Sequence, residues 1–188
     1  STPLETLNVK STGANAATLN AASAKALNVT GTGLLTASGS ALTNVETITV
    51  KESAGLNLGT SVATSAKLTS VDASATSGNV TLTIDAAKAT YTGGTGKDNV
   101  TVSAATSAAP VSKAITLGAG DDTLNLSAIT AANQIAAGAK FDGGEGTDTL
   151  ALSTVAAAND QLSANGTFEK QATAFEKLQL VELAGTTT

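Results

Sequence analysis

The sequence predicts an all-β chain that folds as a parallel β-helix, also called a β-solenoid. Three observations predict this class: short alternating strands recur at a nearly constant spacing, glycine-rich loops ending in aspartate recur in the second half, and aromatic residues are scarce. Only one Tyr and three Phe occur among 188 residues, and there is no Trp. A solenoid manages with few aromatics because Val, Ile, Leu, Thr and Ala stack from coil to coil.

The first half of the chain repeats a short strand. Alternating segments begin at Leu7, Leu27, Ile48 and Val71, so that their spacing is nearly constant and lengthens only slightly along the chain. A period in the low twenties is typical of one solenoid coil per repeat. Alternation with a period of two places one face of each strand in the core and the other outside.

Three glycine-rich loops continue this spacing in the second half. The aspartates that end them, Asp98, Asp122 and Asp148, follow one another at a spacing slightly longer than that of the first-half strands. The loops are Gly93–Asp98, Leu117–Asp122 and Gly143–Asp148, and the alternating segments that follow them are Asn99–Val102, Thr123–Leu126 and Thr149–Leu152. A glycine-rich turn ending in Asp before an apolar strand is typical of calcium-binding β-helix repeats.

The loops carry the right chemistry for Ca²⁺. Glycine lets the backbone turn tightly and aim its carbonyl groups inward, and Asp adds a hard anionic oxygen. If one ion lies between the loops of each two neighbouring coils, three loops bind at least two Ca²⁺ ions. Because stacked carboxylates repel one another without metal, we also expect folding to be coupled to calcium binding. The candidate ligands, with Glu145 as a further auxiliary group, are Gly94, Gly96, Asp98, Gly118, Gly120, Asp121, Asp122, Asp142, Gly144, Gly146 and Asp148.

Other interpretations of these residues stay open. Gly and Asp are also ordinary turn residues, so the loops could be plain turns, and Lys97 adds a positive charge beside the first loop. A phosphate-binding loop is disfavoured because no Gly-Lys-Ser/Thr follows and the acidic residue would repel phosphate. Asp72 and Asp85 could bind calcium on earlier coils but lack the flanking glycines, and Tyr91 is expected to be a cap or an inward plug.

A second short motif recurs, in which an apolar residue and Glu precede an alternating strand. Its glutamates are Glu5, Glu46 and Glu176. They could ligate metal or form a hydrolytic carboxylate pair, but we favour a structural Glu that accepts backbone N–H groups at a strand start. By these patterns the chain divides into metal-free coils at 1–88, calcium-binding coils at 89–152, and a less regular segment at 153–188 that returns to a final strand. A short helix is expected near Ala156–Ala158 or Glu169–Ala172.

Composition excludes several functions. Cys, Met, His and Trp are absent and all ten basic residues are Lys, which removes thiol, imidazole and guanidinium chemistry. We therefore expect no enzyme, and no catalytic residue is assigned. A net charge of −5 and a pI near 4.6 argue against nucleic acid or an anionic membrane as partner. No run of 18 apolar residues exists, so no membrane insertion is expected. Because the chain opens at Ser1 without Met, we expect a piece of a longer protein.

The three loops, with Tyr91 before the first and the Phe175–Leu178 segment after the last, resemble a module of RTX-type calcium-binding bacterial surface-layer (S-layer) proteins. The resemblance implies a type I-secreted protein at the cell surface, whose calcium-bound solenoid assembles with itself into a lattice. A part not in this chain would bind lipopolysaccharide. Compact RTX rolls carry the motif every nine residues, whereas here it comes about once per coil, and Leu117 replaces the first glycine of the middle loop. Alternatives are a repeat module of a large RTX adhesin or biofilm protein, and the C-terminal RTX part of a secreted enzyme.

Overall fold

The fold is a β-solenoid built from two parallel sheets, as the sequence predicts. A computed structural model describes residues 3–106, 108–130, 134–154 and 167–181. Sixteen strands and one short helix, α1 (Thr167–Gln171), have defined bounds in these ranges. The strands are β1 (Thr6–Ser11), β2 (Asn15–Ala16), β3 (Ala26–Gly31), β4 (Leu34–Thr36), β5 (Thr47–Glu52), β6 (Gly55–Gly59), β7 (Ser70–Thr76), β8 (Val80–Ile84), β9 (Thr90–Thr92), β10 (Asn99–Val102), β11 (Ile115–Thr116), β12 (Thr123–Asn125), β13 (Phe141–Asp142), β14 (Thr149–Ser153), β15 (Ala172–Thr173) and β16 (Lys177–Val181).

Each coil contributes one strand to each sheet. The odd-numbered strands form one eight-stranded sheet in chain order, and the even-numbered strands form the other. Every pairing between named strands is parallel. The spacing seen in the sequence is therefore the length of one coil, and equivalent residues of successive coils stack above one another.

The two halves of the repeat pattern lie on different sheets, which the sequence did not reveal. Leu7 and Val71 belong to one column of stacked residues in the odd-numbered sheet. This column continues through Tyr91, Ile115 and Phe141. The strands that follow the three glycine-rich loops are β10, β12 and β14 of the even-numbered sheet. Because the coils are of nearly equal length, the first-half strands and the strands after the glycine-rich loops recur at similar spacings. Spacing alone therefore did not separate the two sheets.

The core is one continuous cluster of inward-facing side chains between the sheets. It is built mainly of Leu, Val, Ile and Ala, and Tyr91 and Phe141 are its largest fully buried members. Helix α1 confirms the part of the helix prediction that includes Glu169, and its Phe168 lies against Phe141 with ring centroids 6.2 Å apart. The other predicted helical segment, Ala156–Ala158, lies outside the described residues.

Candidate functional site

Four acidic residues stack at the point where each of the last four coils enters the even-numbered sheet. Asp98, Asp122, Asp148 and Glu176, hereafter the acidic column, directly precede β10, β12, β14 and β16. The equivalent position one coil earlier is Val80, because Asn99 pairs with Thr81. An inward-facing apolar column thus becomes acidic from Asp98 onward. The three aspartates are buried at the edge of the core, whereas Glu176 is exposed.

One oxygen of each carboxylate in the acidic column accepts a backbone N–H from the preceding coil. Val80 N–H donates to Asp98 Oδ1 (2.8 Å), and Asp98 N–H donates to Asp122 Oδ1 (2.7 Å). Asp122 N–H donates to Asp148 Oδ1 (2.8 Å), and Asp148 N–H donates to Glu176 Oε2 (2.8 Å). The column therefore satisfies backbone donors that would otherwise be buried without a partner, at the same place in four successive coils.

The second carboxylate oxygens have different partners from coil to coil. Asp98 Oδ2 accepts a hydrogen bond from the buried Tyr91 hydroxyl (2.7 Å). In the next two coils the residues stacked above Tyr91 are Ile115 and Phe141, which have no donor to offer. Within the described residues, Asp122 Oδ2 and Asp148 Oδ2 are buried and have no hydrogen-bond partner. A buried carboxylate oxygen without a donor needs a proton or a cation.

The pKa values of the buried aspartates in the column are raised, which shows that their ionised forms are unfavourable without a partner. Burial raises the pKa of Asp98 to about 6, although the hydrogen bond from Tyr91 opposes the change. The pKa of Asp122 is raised to about 7, mainly by burial and also by the nearby charges of Asp98 and Asp148, while the hydrogen bond from Asp98 N–H opposes the change. Burial, followed by the charge of Glu176, raises the pKa of Asp148. Burial and the Asp98 charge place the pKa of Tyr91 well above its usual range, so its hydroxyl stays a donor.

The backbone of the middle and last loops has a shared shape. Gly118 and Gly144 have φ of 103° and 98°, and Gly120 and Gly146 have φ of 138° and 135°, values that L-residues other than glycine rarely adopt. A Cβ at Gly144 would also overlap the carbonyl oxygen of Gly118. The glycines therefore serve the turn, as their sequence pattern predicts, and also permit the close stacking of successive loops.

The first loop differs from the other two in backbone shape. Gly94 and Gly96 are buried, but neither has the positive φ of its counterparts in the later loops. Gly94 O accepts a hydrogen bond from Ala119 N–H (2.8 Å), and Gly118 O accepts one from Glu145 N–H (2.8 Å). These two predicted ligand carbonyls thus point toward the next coil and each retains one lone pair.

The predicted auxiliary groups lie on the outer side of the loops. Asp121 and Glu145 are exposed, and Asp142 is half-buried in β13. Asp121 Oδ1 accepts a hydrogen bond from Thr147 N–H (3.1 Å). In the described ranges no group of three or more acidic side chains comes together as a metal cluster. An ion at the column would therefore take one or two carboxylates and complete its shell with loop carbonyls and water, which is a donor set that Ca²⁺ accepts.

The recurring glutamates and the earlier aspartates have several roles. Glu176 accepts a backbone N–H, as expected of the recurring glutamates, but the Glu5 side chain instead pairs with Lys25 (3.0 Å) on the surface. Asp72 Oδ1 accepts hydrogen bonds from the N–H and hydroxyl of Ser74, and Asp85 pairs with Lys88 (2.6 Å). Tyr91 is an inward plug, as expected, and it also binds the acidic column.

Sequence reasoning missed two members of this arrangement. Glu176 was grouped with Glu5 and Glu46, whereas Glu5 precedes β1 of the odd-numbered sheet and Glu176 precedes β16 of the other. The available signal was its position about one coil length after Asp148, directly before an alternating strand. The bond from Tyr91 to Asp98 had no sequence signal, because the two residues belong to different sheets.

Comparisons with known proteins add no assignment. Neither models of protein families, nor curated proteins, nor solved structures gave a match to this chain. In the part of the chain that the structure describes, no helix is long and apolar enough to cross a membrane. Functional inference therefore depends on the fold and on the acidic column.

Proposed function

We propose that this chain is a calcium-stabilised structural module of an extracellular bacterial surface layer, with no catalytic role. The observation that carries the proposal is the pair of buried carboxylate oxygens, Asp122 Oδ2 and Asp148 Oδ2, that lack a partner among the described residues. Two such oxygens stacked in adjacent coils match the expected minimum of two ions. A divalent cation would supply the missing positive partner and remove the repulsion between neighbouring carboxylates.

Calcium is favoured over other metals by the available donors. The chain has no Cys or His, so soft or nitrogen ligands are absent from its sequence. The loops offer carboxylates and backbone carbonyls, and Ca²⁺ tolerates irregular shells of six to eight oxygens. Mg²⁺ demands near-ideal octahedral geometry and retains several waters, which suits a backbone-lined loop less well.

The surface-layer part of the proposal draws support from one end of the solenoid. Leu178 and Leu180 in β16 stack above Leu150 and Leu152, which are buried, yet they are 56% and 52% exposed. Their column is a core column, and β16 is the last strand of its sheet among the described residues. A second copy of the chain stacked on this edge would bury both leucines and pair with the outer edge of β16, as polymerising solenoids do.

A calcium titration tests the metal part of this proposal. Far-UV circular dichroism is recorded from chelator to 10 mM CaCl₂. The proposal predicts a cooperative gain of β signal or of thermal stability with a midpoint on the order of 10⁻⁴ to 10⁻³ M, the range of extracellular modules. A spectrum and melting curve that are the same in chelator and in calcium would contradict it.

Self-association is tested separately on the calcium-loaded protein. Sedimentation velocity and negative-stain electron microscopy should show concentration-dependent oligomers or sheets. The variant Leu178→Lys/Leu180→Lys should stay monomeric, because Lys keeps its charged head in water rather than in an interface. A parent protein that stays monomeric at high concentration would refute the lattice-forming role while leaving calcium binding intact. Oligomers that persist in the Lys variant would place the contact elsewhere.

A further inference from the structure

We propose that the Tyr91 hydroxyl fills, in the first loop, the place that a calcium ion fills in the next two loops, so that Tyr91 sets the number of bound ions at two. This inference depends on calcium binding as proposed above and identifies which members of the acidic column take part. It makes Asp122 and Asp148 the metal-binding carboxylates. Asp98 becomes a hydrogen-bonded member of the same column without an ion.

The partners of the carboxylate oxygens carry the argument. Both oxygens of Asp98 accept hydrogen bonds, one from Val80 N–H (2.8 Å) and one from Tyr91 Oη (2.7 Å). Asp122 and Asp148 each use only Oδ1, for the N–H of the preceding aspartate. A neutral donor thus satisfies the first carboxylate, and the next two need a cation at the same point of the coil.

Stacking in the odd-numbered sheet explains why only one coil has the donor. Tyr91 pairs with Ile115, which in turn pairs with Phe141. All three side chains are buried in the core, and the Tyr91 hydroxyl reaches the acidic column. Ile and Phe fill the same space without a hydroxyl, so the second and third coils leave their carboxylate oxygens open to another partner.

Two further features of the first loop agree with this division. Gly118 and Gly144 have nearly the same φ, 103° and 98°, while Gly94 lacks a positive φ. The residue directly before the column is Lys97 in the first loop and Asp121 in the second. A lysine beside Asp98 lowers the local demand for a cation, whereas Asp121 raises it for Asp122.

Equilibrium dialysis of the full chain against CaCl₂ concentrations up to 10 mM, with the protein concentration near the expected Kd, counts the ions bound at saturation. The parent should carry two, Asp98→Asn should still carry two, and Asp122→Asn should carry one. Asn can keep the Oδ1 acceptor, and the Tyr91 hydroxyl can turn to accept from the new amide, so Asp98→Asn should fold. Circular dichroism in calcium verifies folding of every variant.

The variant Tyr91→Phe tests the hydroxyl itself. It removes one oxygen from a buried ring and takes the hydroxyl donor away from Asp98 Oδ2, and it should raise the count from two ions to three. Three ions in the parent, loss of an ion in Asp98→Asn, or an unchanged count of two in Tyr91→Phe would each overturn the inference. A parent that binds none would instead overturn the calcium proposal, so the two failures are distinguishable.

Discussion

Replacing Asp122 by Asn should stabilise the metal-free protein and reduce the stability that the protein gains from calcium. Asn has the same shape, and its Oδ1 can still accept the N–H of Asp98, which lies 2.7 Å away in the parent. The substitution replaces the charged Oδ2, the atom without a partner among the described residues, by a neutral amide group. It therefore isolates the charge of one carboxylate in the column from the packing around it.

The expected magnitudes follow from the pKa and from the number of sites. Raising the pKa of Asp122 from 3.8 to about 7 means that its ionised form costs about 4 kcal/mol in the metal-free fold at pH 8. An Asn amide left without an acceptor costs about 1–3 kcal/mol, so the metal-free variant should gain about 1–3 kcal/mol. Two ions with Kd of about 10⁻⁴ to 10⁻³ M should stabilise the parent by about 3–5 kcal/mol in 10 mM calcium, and the variant by half of that or less.

Urea unfolding followed by circular dichroism at pH 8, in chelator and in 10 mM CaCl₂, measures these free energies. The matched control is Asp72→Asn, which removes one charge from an exposed aspartate that contacts only Ser74 through side-chain hydrogen bonds. The control should retain the full calcium increment of the parent. An Asp122→Asn variant that gains as much from calcium as the parent would refute the reasoning.

Two further predictions concern pH and the loop backbone. The pKa values of Asp98 and Asp122 are raised to about 6 and about 7, so the native state binds more protons than the unfolded chain above about pH 4. The free energy of unfolding of metal-free protein, from urea unfolding in chelator, should therefore fall as pH rises from about 4 to 7; a rise across that window would contradict the assigned burial. Gly144→Ala should destabilise the fold by about 2–5 kcal/mol in thermal or urea unfolding, because φ is 98° and the new Cβ would overlap Gly118 O. Gly138→Ala, with open space around its Cα and no positive φ, is the control and should change stability by less than about 1 kcal/mol; equal effects would rule out the stacking argument.

The class of fold was predictable because its signals are local. Alternation within a strand and a fixed coil length both appear in the sequence, and the pairing of Leu7 with Leu27 and of Leu27 with Ile48 follows from them. What the sequence did not supply was the second strand of each coil in the first half, such as Leu34–Thr36 and Gly55–Gly59. These strands are short and glycine-containing or flanked by glycine, so their alternation is weak.

The candidate site was predictable in its backbone but not in its polar partners. Glycine and aspartate at fixed spacing identified Asp98, Asp122 and Asp148 as equivalent positions of successive coils. Their difference depends on Tyr91, Ile115 and Phe141, which lie at the same distance before each aspartate along the chain and on the other sheet. Contacts across the solenoid depend on which residues face inward at the same level, and that register becomes visible only when both sheets are placed.

Sensitised terbium luminescence tests most directly whether the acidic column holds a calcium-like ion. Tyr91 is the only Tyr, no Trp is present, and its hydroxyl contacts Asp98, one coil or roughly 5 Å along the stack from Asp122. Excitation of Tyr91 should therefore produce Tb³⁺ emission that excess Ca²⁺ abolishes and that Asp122→Asn weakens. Absence of sensitised emission, or emission that neither calcium nor this substitution reduces, would contradict a metal site at the column.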